Sequence, residues 1–201
     1  MSLSEFVTHF AEGMMAADTK RPQAINQRSK EPYQPGIGPH IEAATVELVI
    51  QEIQAMNPNS YRKIQTGISY PHDSRKKCDL FFDHKKQKWF VEVKMMRLMG
   101  DNGKSNDNIL MHILSPYPQH RSALTDCEKL LSSGFDGKKA VLIYGYDYDE
   151  FPLVRAIDAF EILARRDNHL GERIQSNFEN LIHPVHQRGA VFAWELEEKL
   201  N

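Results

Sequence analysis

The chain has little that would fix it covalently or hold it in a bilayer. Two cysteines, Cys78 and Cys127, occur in 201 residues, and neither stands in a metal-ligand spacing. A disulfide scaffold and a zinc ribbon are therefore excluded as organising principles. Nowhere do uncharged apolar residues run together for the roughly 18 positions that a membrane-spanning helix needs. The opening segment MSLSEFVTHFAEGMMAADTK lacks a positive n-region and is interrupted by Glu5 and Glu12, which argues against secretion. A reducing, cytoplasmic setting is the expectation. Internal repeats and low-complexity tracts are also missing, so solenoids and disordered linker proteins are set aside.

What is present is ordinary globular composition, 41% apolar and 26% charged, with length for one substantial core. Charge is unevenly spread. Residues 61–97 hold ten basic side chains (Arg62, Lys63, Arg75, Lys76, Lys77, Lys85, Lys86, Lys88, Lys94, Arg97) against four acidic ones (Asp73, Asp79, Asp83, Glu92). That local excess of six positive charges, set against a net −2 for the whole chain, leaves −8 for the remainder. A polyanion-facing surface would leave such asymmetry, although HKKQK at 84–88 also suits a solvated hairpin turn.

The spacing of apolar residues predicts a short helix over 4–17, with Phe6, Phe10 and Met14 on one side. Residues 18–39 carry Pro22, Pro32, Pro35 and Pro39 and read as an extended arm, so residues 1–38 are set apart from a domain over 39–201. A helix from about Pro39 or His40 to Met56 follows. The strands YRKIQTGISY, KKCDLFF and KWFVEVKM come next, then a turn-rich loop at 100–108. After it, HRSALTDCEKLLSSG reads as a helix ending at Gly134, KKAVLIYGY as a buried strand, LVRAIDAFEILARRDN as a helix and GAVFAWEL as a final strand. This order predicts an α/β domain with a central mixed sheet flanked by helices.

Within the apolar run WFVEVKMM, Glu92 and Lys94 are two residues apart, so in a strand they share one face. Asp79, on the preceding strand, lies beside them in a hairpin register. Two explanations fit. Lys94 pairs with Glu92 or Asp79 in a structural ion pair, which adds little stability over apolar replacements; or the carboxylates hold a hard divalent cation while the lysine meets water or developing negative charge.

These residues resemble the PD-(D/E)XK nuclease superfamily, whose restriction-endonuclease-like core pairs an acid on one strand with E-x-K on the next. Asp79 and the run Glu92, Val93, Lys94 match the pattern, with twelve residues between the two acids and Cys78 in place of the proline. The likeness covers about residues 38–146. It implies Mg2+, with Mn2+ as a substitute, held by Asp79, Glu92, a helix acid and the Val93 carbonyl, and DNA as substrate. Lys94 would then orient the attacking water or stabilise charge at phosphorus.

The leading helix offers Glu42, Glu47 and Glu52 for the helix acid. At about 100° per residue Glu42 falls between Val49 and Ile53 on the apolar face, whereas Glu47 falls beside Gln51 and Gln54; Glu42 is the choice. Lys63, Arg75, Lys76, Lys104 and Arg121 are candidates for nucleic-acid contacts, with readout assigned to the 100–108 loop or the arm. His120 shares a helical stripe with Leu124, Cys127 and Leu131, which makes Gln119, His120 and Arg121 weaker site candidates. The pair His183 and His186 flanks Pro184 without a third ligand and reads as loop chemistry. No helicase, methylase or separate DNA-binding segment is visible, so a stand-alone, type II restriction-like enzyme is the expectation. Cutting both strands would call for a homodimer, while a monomeric nickase, a structure-specific repair nuclease, an inactive nucleic-acid-binding protein and an interaction module remain open.

Overall fold

The computed structural model describes residues 2–84, 87–167 and 169–197. Lys85 and Lys86, part of the basic stretch, lie outside the described residues. The elements run α1 (Leu3–Thr19), α2 (Glu42–Met56), β1 (Lys63–Tyr70), β2 (Asp73–His84), β3 (Gln87–Met96), α3 (Met111–Leu114), α4 (Ala123–Leu131), β4 (Lys138–Tyr146), α5 (Leu153–Asp167), β5 (His169–Leu170), β6 (Ile174–Phe178) and β7 (Gly189–Glu197). The strands form one mixed sheet in the order β1-β2-β3-β4-β7-β5, with β6 also against β7. Among the described residues only β3 and β4 pair in parallel, and the chain between them supplies the long crossover that a parallel pair requires.

Alternation along β3 divides the core in two. Trp89, Val91 and Val93 join Phe6, Phe10, Val49 and Ile53 on the α1 and α2 side. Phe90 and Met96 join Cys127, Leu130, Ile157 and Phe160 on the α4 and α5 side. Glu92 and Lys94 thus sit between two apolar residues of one face, directed toward α4, as the period of two along a strand requires.

Helix α1 starts where Ser2 and Glu5 form a capping box, which satisfies two orphan N–H groups reciprocally. At its other end the buried Asp18 accepts from Ile37 N at 2.8 Å and Ile182 N at 2.6 Å. The end of the arm is therefore tied to α1 and to the segment before β7 within one chain. Helix α2 begins at Glu42 rather than at Pro39 or His40, because Ile41 is extended (φ −71°, ψ 158°) and forms the N-cap. A Cβ on Gly38 would come within 2.6 Å of His186 Cδ2, so only glycine allows this contact.

The region expected to be one helix up to Gly134 is split. Pro118–His120 forms a single 3-10 turn, Arg121 adopts φ +48°, and α4 starts only at Ala123. Ser122 decides this. Its hydroxyl accepts from Thr125 N at 3.2 Å as an N-cap, and the left-handed residue before it breaks any continuous helix. Strand β6 and the short helix α3 have no counterpart in the sequence reading. No helix among the described residues is long and apolar enough to cross a membrane.

Candidate active site

β2 and β3 pair from His84↔Gln87 to Leu80↔Val91 and then separate. The next rung would set Asp79 directly opposite Glu92. On the other flank, β1 and β2 lose the rung between Gly67 and Asp79 while keeping Thr66↔Leu80 and Ile68↔Cys78. Gly67 has φ +67°, a backbone conformation that favours glycine. Asp79 therefore stands at a local opening on both sides of its strand.

Separation of β2 from β3 strands two backbone donors, and buried N–H groups require partners. Asp79 Oδ2 accepts from Val93 N at 2.8 Å, and Glu42 Oε2, reaching from α2 on the opposite face, accepts from Met95 N at 2.6 Å. In the same gap the Cys78 thiol approaches the Val91 carbonyl oxygen at 3.4 Å. Glu42 and Asp79 line a cleft of about 160 Å3 with Ala43, Val46, Glu47, Thr66 and Gly67. Glu47, the alternative helix acid, is exposed on the cleft wall. Glu52 is buried elsewhere and pairs with Lys20. A larger cleft of about 270 Å3, between α5, β6 and β7, shares no residue with this one.

The lysine does not pair with Glu92 or Asp79, as the ion-pair explanation expects. Lys94 Nζ lies 2.5 Å from Asp126 Oδ2 on α4. Glu92, only 1% exposed, instead receives Tyr70 OH and Lys129 Nζ on its Oε1, the latter at 3.1 Å. Lys129 also meets Asp126 Oδ1 at 2.6 Å. Asp126 thus joins both ammonium groups and was missed in the sequence reading. The signal was available: Asp126 lies between Ala123 and Leu130 on the buried stripe of α4, the same anomaly of a charge on an apolar face that singled out Glu42.

Burial raises the Glu92 carboxyl first, Asp79 and Asp126 raise it further, and Lys129 opposes them. Glu42 is also raised, by burial above all, against the pull of Lys94. For Lys94, desolvation pushes downward, but Asp126 and Glu42 outweigh it and hold the ammonium form. A carboxyl whose folded pKa is raised above its unfolded value of about 4.3 holds its proton more tightly in the folded state, across the window between the two values. Stability must then fall as pH rises through that window, and Glu42 acts in the same direction. Thermal melts in EDTA from about pH 6 to 9 are expected to show this fall for the wild type and a flatter profile for Glu92→Gln, which fixes the neutral form. Equal slopes for the two proteins would contradict the assignment.

The remaining candidates are dispersed. Lys63, Arg75, Lys76, Lys104 and Arg121 are exposed. Arg75 and Lys76 lie on the same strand as Asp79, near Asp73, whose carboxylate is 3.2 Å from Arg75 Nε and 4.0 Å from Lys76 Nζ. Lys104 and Arg121 lie in loops and enter none of the contacts around Glu92. Gln119 is exposed, and His120 Nδ1 bonds Ser115 Oγ at 2.6 Å instead of lying on α4. His183 and His186 are buried and stacked at 4.7 Å. His186 meets Asp101 at 3.0 Å and Tyr148 OH at 2.7 Å, which joins the 100–108 loop to the rest. Burial holds both imidazoles below the usual histidine value.

No protein-family model, no curated protein and no solved structure matches the chain. Among the described residues, no group of three or more His, Cys, Asp or Glu stands ready to hold a metal ion. One oxygen each of Asp79, Glu42 and Glu92 is engaged by a protein donor. The donor set is nevertheless of the hard oxygen type that suits Mg2+. Four carboxylates (Glu42, Asp79, Glu92, Asp126) face two ammonium groups (Lys94, Lys129), so the fully ionised cluster lacks two positive charges. One divalent cation would balance it.

Proposed function

We propose that the protein is a metal-dependent endonuclease that hydrolyses DNA phosphodiester bonds, with a restriction-endonuclease-like core of the PD-(D/E)XK type. The observation that carries this reading is Asp79 at the point where β2 and β3 separate, near enough to both Glu42 and Glu92 to act on each carboxyl, with Lys94 on the same strand face as Glu92. The surrounding order supports it: an antiparallel β1-β2-β3 meander, a parallel β4, and α2 and α4 on opposite sides of the sheet.

In this reading Asp79, Glu92, Glu42 and the Val93 carbonyl hold Mg2+, or Mn2+ in its place. The ion supplies Lewis acidity toward phosphate and activates water. Lys94 directs its ammonium group to the water or to charge developing at phosphorus, and Asp126 sets its position. Lys63, Arg75, Lys76, Lys104 and Arg121 contact the phosphate backbone, which positions a duplex without reading its bases. A type II restriction-like enzyme acting as a homodimer in the cytoplasm is the form that best accommodates cleavage of both strands. Two buried free thiols suit a reducing compartment.

A second reading, an inactive nucleic-acid-binding protein, draws support from the ion pair that already occupies Lys94. Supercoiled plasmid incubated with Mg2+ or Mn2+ separates the two. Nicking or linearisation by the wild type, lost in Glu92→Ala, is expected. Retention of plasmid without cutting favours the second reading, and absence of both at low salt rejects nucleic acid as the partner.

A further inference from the structure

We propose that Lys129 is a built-in counter-cation, whose ammonium group neutralises Glu92 in the metal-free protein and must withdraw when a divalent cation is loaded. This rests on the metal site proposed above.

The two lysines of the cluster are not equivalent. Lys94 is 14% exposed, held by Asp126 at 2.5 Å, and stands on a central strand. Lys129 is 31% exposed and reaches in from α4 to touch Glu92 Oε1 at 3.1 Å and Asp126 Oδ1 at 2.6 Å. Its ammonium also lies 5.5 Å from the centre of the Tyr70 ring, a contact of cation–π range. A lysine stem has several rotatable bonds and a strongly hydrated tip, so a half-exposed one can swing toward water at small cost.

Charge makes the swing necessary. Glu92 is nearly inaccessible to solvent, and an unpaired buried carboxylate is strongly unfavourable. Once Glu92 is ionised, as a bound cation requires, Lys129 meets that need when no cation is present. A divalent cation on the same carboxylate would lie only a few ångströms from Lys129, and at that range the repulsion is worth several-fold in affinity even with screening. Tyr70 keeps its hydrogen bond to Glu92, so the carboxylate stays oriented when the lysine leaves.

Lys129 should therefore have opposite effects in the two states, which a purely structural ion pair would not have. Lys129→Met keeps the stem and removes the charge. Calorimetric titration of Mn2+ into the protein without nucleic acid is expected to show tighter binding for Lys129→Met than for wild type, by about tenfold. In EDTA the same variant should melt at a lower temperature than wild type. Lys129→Gln is expected to shift affinity in the same direction and serves if the methionine variant does not fold. Unchanged or weakened Mn2+ binding in the folded variants would overturn the proposal, as would an unchanged melting temperature in EDTA. Asp79→Asn separates the two levels of failure. If wild type binds Mn2+ and Asp79→Asn does not, an insensitive Lys129 rejects this inference alone. If wild type binds no Mn2+, the reading of the whole site falls with it.

Discussion

On the proposed nuclease reading, Lys94→Ala is expected to lower the rate of DNA cleavage by about a hundred- to a thousandfold while leaving DNA binding nearly intact. The asymmetry follows from position. Lys94 is 14% exposed and enclosed between β3 and α4, too deep to add to a phosphate-binding surface but beside the acids that would carry the reaction. The basic groups that reach solvent, Lys63, Arg75 and Lys76, are elsewhere. Single-turnover cleavage and filter binding at one salt concentration measure the two quantities on the same preparation. Loss of binding in parallel with cleavage would show that Lys94 serves the surface. Alanine also leaves Asp126 with only Lys129, so the melting temperature of the variant needs to be recorded beside its rate.

Asp126→Ala should be the most destabilising substitution in the cluster, by about 3 kcal/mol or more, because removing one partner of a buried ion pair leaves the others uncompensated. The Asp126 side chain is 4% exposed and forms ion pairs with both Lys94 and Lys129. Its loss therefore strands the Lys94 ammonium group and leaves Lys129 with Glu92 alone. Asp126→Asn, which keeps shape and one acceptor, should recover part of the stability. Urea unfolding gives the comparison directly, and an alanine variant within about 0.5 kcal/mol of wild type, the range of ordinary surface substitutions, would show that the network contributes little.

The relation between these residues was partly legible in the sequence, for physical reasons that differ from residue to residue. The shared face of Glu92 and Lys94 follows from the period of a strand, and the placement of Asp79 opposite Glu92 follows from a hairpin whose rungs count back from His84 and Gln87. Glu42 stood out because a helix places it among apolar neighbours. Asp126 meets the same criterion only on a helix that starts at Ala123, whereas the sequence pattern suggests a stripe beginning at His120, which the structure interrupts at Arg121 and Ser122. Lys129 carries no such mark; on a helix wheel it resembles any solvated lysine, and only the tertiary position of Glu92 gives it a partner. Strand β6, IQSNF, alternates weakly between half-buried and exposed positions, so its pairing with β7 depends on the neighbour more than on its own residues. The mutual exchange of partners, Lys94 to Asp126 and Lys129 to Glu92, is a property of packing α4 over β3 and is not written in either segment alone.

The central claim is that Asp79, Glu92 and Glu42 form one divalent-cation site where β2 leaves β3. Calorimetric titration of Mn2+ into the metal-free wild type, beside Asp79→Asn and Glu42→Gln, tests it without requiring a substrate. Saturable binding by the wild type that is abolished in Asp79→Asn and weakened in Glu42→Gln, with all three proteins folded, is the result expected. Wild-type protein that takes up no Mn2+, or binds it equally well without the Asp79 carboxylate, would contradict the account.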